Sequence, residues 1–405
     1  MDNVIHVMGV PRVVSDADRA VLETADLIVG SSRQCSLIPH PPNATTIDWS
    51  MGFDQVYGAL TTANAPVVLA SGDPGFFGIV RRLNQKFPSS RLNVLPAISS
   101  VASAFGMIGM PWTDAVVASA HGRDIRHAIA LARAYPKVAV LTEPNQGAQR
   151  LFEGVKDLGR TVYVAADIGG PNEIIARHHD GDRWPDPNVV LIIDEEALAI
   201  ENSPETEAPI TAGQMPTPFF GLPEAVYEHR DGMITKAEVR AVALAWLAPG
   251  PGKVIWDIGC GSGSVSVEAA SAGAAVFAVD SDPDQVARTR RNAATHQVTV
   301  QAISGNADTV INQWQQLIVA DAAFIGGGGD AALNATVEAG VGRIVLTLAA
   351  IDRVIPVIKT LEYAGYGVRA TQIQANRLEG LANGQRRLAA LNPVTIIRAE
   401  KLVIP

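Results

Sequence analysis

Short β-branched apolar runs alternate with longer amphipathic stretches along most of the chain. This alternation is typical of parallel strands linked by helices that cover both faces of a sheet. The predicted strands cover residues 4–8, 27–29, 67–70, 138–141, 162–165, 189–193, 254–257, 275–279, 322–325 and 343–348. The predicted helices include residues 16–24, 235–247 and 283–294. The sequence therefore predicts an α/β fold in both halves of the chain.

One change of composition separates these halves. Residues 201–218, ENSPETEAPITAGQMPTP, combine Pro, Ser, Thr, Gly and acidic residues with little apolar periodicity, which is typical of a linker. At roughly 100–200 residues per domain, a chain of 405 residues holds two or three domains. We therefore expect one domain at 1–200, a linker at 201–218 and a second domain at 219–405.

Composition excludes several classes of protein. The 47% of hydrophobic residues excludes a disordered chain, and no uninterrupted apolar run reaches the roughly 18 residues that span a bilayer. The N-terminus lacks the basic stretch of a signal peptide, so a cytoplasmic location without a membrane partner is expected. Cys35 and Cys260 are too few for a disulfide framework or a zinc site, and no metal is expected. The net charge of -9 argues against a nucleic-acid partner.

The most informative segment is KVIWDIGCGSGS at 253–264, an apolar strand that enters a glycine-rich turn before a helix-compatible run. Glycines let the backbone approach a ligand closely, and a helix N-terminus offers N–H donors. A dinucleotide fingerprint would need Gly or Ala where Ser264 stands. With Asp257 before the turn and Asp280 about 20 residues later, the pattern resembles class I S-adenosylmethionine-dependent methyltransferases. The alternatives are a turn without a ligand and a nicotinamide-dependent dehydrogenase.

Two further segments of the second half place glycine or asparagine after an apolar run. Gly305-Asn306-Ala307-Asp308 stands where class I methyltransferases contact adenine. The glycines at 326–329 follow a predicted strand, and ligands of open α/β sheets lie outside such strand ends. The absence there of an Asn-Pro-Pro-Tyr type motif argues against methylation of nucleic-acid bases. Glycines at 326–329 would give a flat surface without side chains, which would fit a large substrate.

Residues 228–240, EHRDGMITKAEVR, lead into a predicted helix. Thr235 as N-cap and Glu238 three residues later predict a capping box. The clustered His229, Arg230 and Arg240 have two interpretations, a solvated face or a contact with substrate carboxylates.

These motifs run from GLPE at 221–224 to NPV at 392–394 and together resemble the C15-methylating, decarboxylating domain of the corrin pathway. The resemblance is carried by GLPEAVYEHRDGMITKAEVRA, DIGCGSGSVSVEAA, FAVDSDP and FIGGGGD. The backbone of the glycines at 326–329, with Gly326 and Gly327 foremost, is a candidate floor for the macrocycle, and Arg240 is a candidate for binding the substrate. The cofactor contacts that the resemblance implies are Thr235, Asp257, Gly259, Cys260, Gly261, Ser262, Gly263, Asp280, Asn306 and Ala307.

Different motifs mark the first half. ASGDPGFFG at 70–78 is followed by PAISSVASAF, GMPW and SAHGR in that order. This order resembles the tetrapyrrole methylases, which have a two-lobed class III methyltransferase fold, and within them the C5-methylating domain of the corrin pathway. The resemblance implies that His121 lies near the reaction. The cofactor contacts that it implies are Gly72, Asp73, Pro74, Ser99 and Ser100. The loop after the first strand keeps one glycine, Gly9, and we expect this departure to affect substrate binding more than cofactor binding. A domain retained only as a scaffold is the alternative.

The fusion of two unrelated methyltransferase folds resembles the precorrin-6Y C5,15-methyltransferases (decarboxylating). It implies methylation of precorrin-6B at C5 and C15 with decarboxylation of the ring C acetate, giving precorrin-8X in cobalamin biosynthesis. It also implies one S-adenosylmethionine site per domain, a small-molecule tetrapyrrole substrate and a homo-oligomer. Substrate carboxylates call for guanidinium partners. The candidates are Arg123, Arg230, Arg240, Arg377, Arg386 and Arg387. The equivalent reactions on cobalt-precorrins and a non-enzymatic tetrapyrrole carrier are the alternatives.

Overall fold

The computed structural model describes residues 4–10, 15–39, 41–121, 123–142, 147–186, 188–196, 198, 220–230, 232–380 and 385–402. The predicted linker at 201–218 lies outside the described residues. The first of two units takes in described residues within Met1–Arg123, Lys137–Phe152 and Arg160–Ile193. The second unit takes in those within Asp124–Pro136, Glu153–Gly159 and Asp194–Pro405.

The first lobe of the first unit is a parallel sheet in the order β3-β2-β4-β1-β5. Its strands are β1 (Ile5–Val10), β2 (Leu27–Val29), β3 (Thr45–Ile47), β4 (Pro66–Ser71) and β5 (Leu92–Leu95). Its helices are α1 (Asp16–Glu23), α2 (Ser32–Ser36), α3 (Phe53–Thr62), α4 (Val80–Leu83) and α5 (Ser100–Met107). Strands β1 and β4 lie at the centre and are almost wholly buried, as expected for a sheet covered on both faces.

The second lobe of the first unit is a mixed sheet in the order β6-β7-β10-β8-β9. Its strands are β6 (Val116–Ser119), β7 (Lys137–Leu141), β8 (Thr161–Ala166), β9 (Ile174–Arg177) and β10 (Asn188–Ile193). The chain also forms helices α6 (Ile125–Ala134) and α7 (Gly147–Val155). Only β6 and β7 pair in parallel, so the prediction of a parallel sheet is wrong here. The connection from β8 to β9 is too short for a crossover helix, and an antiparallel pair needs only a turn.

The second unit contains a seven-stranded sheet in the order β13-β12-β11-β14-β15-β19-β16, in which β19 is antiparallel to both neighbours. Its strands are β11 (Val254–Ile258), β12 (Ala275–Asp280), β13 (Val300–Ser304), β14 (Ala322–Ile325), β15 (Arg343–Leu348), β16 (Tyr366–Ile373) and β19 (Val394–Lys401). Strands β17 (Asn376–Gly380) and β18 (Arg386–Ala390) form a separate hairpin. The helices are α8 (Ala237–Leu247), α9 (Ser264–Ser271), α10 (Pro283–Thr295), α11 (Ala307–Leu317), α12 (Gly329–Glu338) and α13 (Val354–Tyr363).

The predicted α/β class is confirmed, and each predicted strand is present with ends that differ by at most two residues. In the second unit α8 packs its Leu244 and Leu247 against Phe324 of β14 and Val345 of β15. None of the helices in the described ranges has both the length and the apolar character of a membrane span. Across the same ranges, no three His, Cys, Asp or Glu side chains are grouped so that they could hold a metal ion.

The capping box predicted at Thr235 is wrong. Helix α8 begins at Ala237 after Lys236, which has no side-chain cap, and its first N–H donates instead to Glu224 Oε1 at 3.0 Å. Glu238 accepts two hydrogen bonds from Arg377. A carboxylate 13 residues upstream thus caps the helix, and this leaves Thr235 in the segment that leads to the site.

Candidate active sites

The glycine-rich turn of the second unit links the carboxyl end of β11 to α9. Gly259, Gly261 and Gly263 have φ of 71°, 54° and 75°, a region that favours glycine. A Cβ at Gly259 would lie 2.5 Å from the backbone nitrogen of Gly327 and 2.6 Å from its Cα. The turns that follow the neighbouring strands β11 and β14 therefore pack backbone against backbone, and this close approach requires glycine at position 259.

Two carboxylates flank this turn. Asp257 is buried, accepts a hydrogen bond from the Ser266 hydroxyl through Oδ2, and has no partner for Oδ1 among the described residues. Burial raises the pKa of Asp257 to about 7. Asp280 accepts the Gly261 N–H at 2.9 Å and the Asp282 N–H at 3.0 Å. Asp280 therefore holds the turn in shape, and Asp257 keeps one buried oxygen that a cationic donor would satisfy.

A cavity of about 760 Å³ opens above the turn. Of the predicted cofactor residues, its lining includes Thr235, Gly259, Cys260, Gly261, Ser262, Asp280, Asn306 and Ala307. Gly326 and Gly327 line it too. Asp257 and Gly263 lie outside the lining, the first beneath the turn and the second at the start of α9. The structure thus brings together most of the predicted site from five separate segments of the chain.

The other wall of this cavity is the strap, which we define as the described residues 220–230 and 232–235. Arg230, Met233, Ile234 and Thr235 of the strap line the cavity. Buried Asn292 on α10 ties the strap to the glycine turn: its Nδ2 donates to the Glu228 carbonyl at 2.9 Å and to the Ser262 carbonyl at 2.8 Å. Its Oδ1 accepts the Glu228 N–H at 2.8 Å. One side chain, which the sequence analysis missed, therefore fixes the spacing of both walls.

The prediction that Arg240 binds substrate is wrong. Its side chain is fully buried, and its Nε donates to Glu268 at 2.6 Å. The remaining guanidinium nitrogens donate to the carbonyls of Thr235 and Leu222 in the strap. Glu268 also accepts the Gly221 and Leu222 N–H groups. Arg240 thus binds Glu268 of α9 and two carbonyls of the strap, and it does not line the cavity.

Most of the other predicted carboxylate-binding arginines already have protein partners. Arg230 pairs with Asp282 at 3.2 Å, and Arg387 pairs with Glu379 at 3.1 Å. Arg377 binds both Glu224 and Glu238, which holds the pKa of Glu224 at about 2. Arg386 and Arg387 lie on the exposed hairpin rather than in the cavity lining. Of these residues, Arg230 is the one that lines the cavity.

The site of the first unit is a cleft of about 1900 Å³ between its two lobes. Gly72, after β4, lines this cleft, and Gly9, near the end of β1, packs against it. A Cβ at Gly9 would lie 2.1 Å from the Gly72 carbonyl oxygen, and Gly72 has φ of 66° with its N–H donating to Val10. The single glycine retained in the first loop is therefore the one that this close approach requires.

The predicted residues of the first half divide between the cleft and its supports. Gly72, Ser100, His121 and Arg123 line the cleft, whereas Gly122 lies outside the described residues. Asp73, Pro74 and Ser99 do not line it. Asp73 Oδ1 accepts the Gly75 N–H and shapes the turn, and Ser99 caps α5 by accepting the Ala102 N–H. Two of the five predicted cofactor contacts thus lie at the cleft, and the others shape or adjoin it.

The chain is similar to known proteins over both halves. Residues 8–179 match the family of tetrapyrrole (corrin/porphyrin) methylases, and residues 225–401 match the precorrin methyltransferase domain. The chain is 38% identical over 44% of its length to a probable cobalt-precorrin-6B C(15)-methyltransferase (decarboxylating) of Pyrobaculum calidifontis, of which it covers 95%. A solved precorrin-6Y C5,15-methyltransferase structure from Geobacter metallireducens is 29% identical, covers 45% of this chain and 97% of that one, and has a TM-score of 0.42.

One similarity extends across both halves. The precorrin-6Y C(5,15)-methyltransferase [decarboxylating] of Sinorhizobium sp is 32% identical over 371 residues, which are 85% of this chain and 83% of that protein. The two family matches confirm the expected tetrapyrrole methylase and methyltransferase domains in their expected order. The chain therefore belongs to the family of precorrin-6Y C5,15-methyltransferases (decarboxylating), which are methyltransferase enzymes.

Proposed function

We propose that this enzyme methylates precorrin-6B at C5 and C15 and decarboxylates the ring C acetate, giving precorrin-8X in cobalamin biosynthesis. The observation that carries the proposal is that each unit has its own cavity built on a glycine turn. Residues 1–200 would carry C5 methylation, and residues 219–405 would carry C15 methylation and decarboxylation. The relatives named for cobalt-precorrin-6B support the equivalent cobalt-containing macrocycle as the second candidate substrate.

The residues of the second unit fit S-adenosylmethionine. The unpartnered Oδ1 of Asp257, which lies beneath the turn, suits the amino-acid end of the cofactor directly or through water. Asp280 suits the ribose hydroxyls, and the segment at Asn306 and Ala307 suits the adenine. The glycines of the turn leave the space that a Cβ would fill. When bound, S-adenosylmethionine supplies an activated methyl group on a sulfonium. In the first unit we propose that Gly72 and Ser100 hold a second copy of the cofactor.

The chain's own contribution to methylation is positioning. An electron-rich macrocycle carbon is the nucleophile, so the protein has little proton transfer to perform. Holding two reactants in line supplies effective molarities on the order of 10⁵ M or more. In the second unit, the backbone of Gly326 and Gly327 forms one floor of the cavity and approaches the macrocycle without side chains in the way. Decarboxylation then follows once the methylated macrocycle can accept the electron pair.

Mass spectrometry of the products tests this proposal. Precorrin-6B incubated with the protein and S-adenosylmethionine should gain two methyl groups and lose carbon dioxide. One methyl group gained together with loss of carbon dioxide would limit the activity to the second unit and would identify the first as a scaffold. No change with precorrin-6B, together with turnover of the cobalt-containing substrate, would overturn the metal-free assignment. Binding of the macrocycle without turnover of either substrate would identify a carrier.

We further propose that the enzyme acts in the cytoplasm as a homo-oligomer on a free small molecule and not on nucleic acid. The net charge of -9 supports the last point, because nucleic-acid binding needs a basic face. Light scattering during size-exclusion chromatography would give the molar mass; a value of 42.7 kDa would contradict the oligomer.

The raised pKa of Asp257 predicts a pH dependence for cofactor binding in the second unit. A carboxylate binds the cofactor's ammonium group, and a carboxyl with pKa of about 7 is mostly protonated at pH 6 and mostly ionised at pH 8. KM for S-adenosylmethionine in the reaction that releases carbon dioxide should therefore fall about tenfold from pH 6 to pH 8. Cofactor binding in the second unit thus strengthens as pH rises, whereas the free energy of unfolding of the ligand-free unit decreases. Because the folded-state pKa exceeds the unfolded one, stability is lost as pH rises toward 7.

Asp257→Asn is the control for this prediction. Asparagine cannot titrate, so the variant should have a higher KM for S-adenosylmethionine at pH 8 and a weaker dependence of this KM on pH. Any pH dependence that remains in the variant comes from titration of the cofactor's own amine. Equal slopes in the variant and the parent enzyme would show that Asp257 is not the titrating group.

A further inference from the structure

Phe77 occupies a backbone conformation that its side chain disfavours. Its φ is 54°, in the left-handed region where a bulky residue is a genuine outlier. The neighbouring turn enforces this geometry. The Phe76 N–H donates to the Asp73 carbonyl at 3.1 Å, and a Cβ at Gly78 would lie 2.2 Å from the Pro74 carbonyl oxygen. Glycine at position 77 would adopt the same conformation without strain.

Packing does not explain why a phenylalanine stands there. The Phe77 side chain is 50% exposed, whereas a ring retained for core stability would be buried. Its contacts are an edge-on approach to Phe76, with ring centroids 5.1 Å apart, and the Arg123 guanidinium at 6.0 Å from the ring centroid. A strained residue with a half-exposed apolar ring is typical of a functional site.

The position of Phe77 in the cleft is a second observation that indicates a functional role. Phe77 lines the cleft of the first unit together with Gly72, Ser100 and His121. Arg81 and Arg123 line the same cleft. An exposed aromatic ring bordered by cations complements a flat conjugated molecule that carries carboxylates at its edge.

We propose that Phe77 is a substrate-contacting residue of the first unit, with its ring against the face of the macrocycle and Arg123 on one of the macrocycle's carboxylates. This inference rests on the proposed C5 methylation. Contact with the substrate compensates for the strain that the free enzyme carries, so the turn around Gly72 has two roles: its glycines approach the cofactor, and its Phe77 contacts the methyl acceptor.

Phe77→Gly tests this assignment because it should not lower the stability of the protein but should weaken binding of the macrocycle. Removing the strain should leave the melting temperature unchanged or raise it. Removing the ring should raise KM for the macrocycle in C5 methylation by about tenfold or more, with KM for S-adenosylmethionine and the rate of carbon dioxide release unchanged. Phe77→Tyr, which keeps an aromatic ring, should restore the macrocycle KM.

Gln297→Gly is the matched control. Gln297 has the same φ of 54° and lies outside both cavities, so this variant should gain stability with every KM unchanged. An unchanged macrocycle KM in Phe77→Gly would overturn the proposal, and so would an equal rise in both KM values. Phe77→Asn, which tolerates the left-handed conformation, repeats the test if the glycine variant does not fold. Absence of C5 methylation in the parent enzyme would contradict the proposed function rather than this inference.

Discussion

Gly259→Ala should abolish C15 methylation and the release of carbon dioxide, while C5 methylation continues. The new Cβ would lie 2.5 Å from the Gly327 nitrogen, and the φ of 71° disfavours any side chain. Because backbone lies on both sides of the contact, no side chain can move to relieve it, and the two turns must separate. A displacement of about 1 Å is enough to cost roughly a hundredfold in rate. We expect at least that loss, measured as carbon dioxide released and as the mass of the macrocycle product.

Gly250→Ala provides the control for this substitution. A Cβ at Gly250 would meet nothing within 4 Å, and its φ is not in the left-handed region. It should therefore leave both methylations unchanged. The product of Gly259→Ala should carry one new methyl group and keep its carboxyl group. Full C15 activity in that variant would refute the close packing of the two glycine turns.

Glu268→Gln should destabilise the second unit by about 3–5 kcal/mol, the range for breaking a buried ion pair on one side. Arg240 and Glu268 are both inaccessible to solvent, so the substitution leaves the Arg240 charge buried with a neutral neighbour. Glu268 also accepts hydrogen bonds from the Gly221 N–H and from the Tyr227 hydroxyl, and the amide can replace only part of this set. Denaturant unfolding, followed by the fluorescence of the buried Trp256 and Trp314, measures the loss.

Glu400→Gln is the matched control for the buried pair. Glu400 pairs with Arg343 and Arg398 at 2.8 and 2.7 Å, but its side chain is 43% exposed. Exposed ion pairs contribute about 0–1 kcal/mol to the free energy of unfolding, so Glu400→Gln should lower this free energy by no more than that. A loss below about 1 kcal/mol for Glu268→Gln would mean that water or another donor compensates for the buried pair.

The strands that could be predicted from sequence are those with continuous apolar runs. Strands β11, β12 and β14 are buried on both faces, so all of their residues except Asp257 and Asp280 are apolar. Strands β16, β17 and β18 were missed because most of their residues are exposed and no period of two emerges. Strand β3 has only three residues, none of them buried. An exposed or very short strand has no apolar pattern that distinguishes it from a loop, even where, as for β17 and β18, its partner is nearby in the sequence.

The site residues also divide into those with a local sequence pattern, which could be predicted, and those whose role depends on residues far away in the sequence. The glycine turn with Asp257 and Asp280 could be predicted because its spacing along the chain is local. The role of Arg240 could not, because its burial depends on Glu268, 28 residues away on α9. Asn292 had a weak signal, since Thr289 and Asn292 are polar residues three apart on the buried face of α10. Polar groups on a buried helix face need partners, but the sequence does not name them.

Helix α10 supports both walls of the second cavity. Thr289 donates to the Gly261 carbonyl at 3.0 Å, and Asn292 reaches both Ser262 in the turn and Glu228 in the strap. Neither wall can separate from the helix without leaving buried polar groups unpaired. The turn, the strap and α10 should therefore open as one cooperative unit in native-state hydrogen exchange, with amide protons that share a single opening free energy. The walls of this cavity should therefore stay assembled whether or not a ligand is bound, because they share the stability of a helix rather than of a loop.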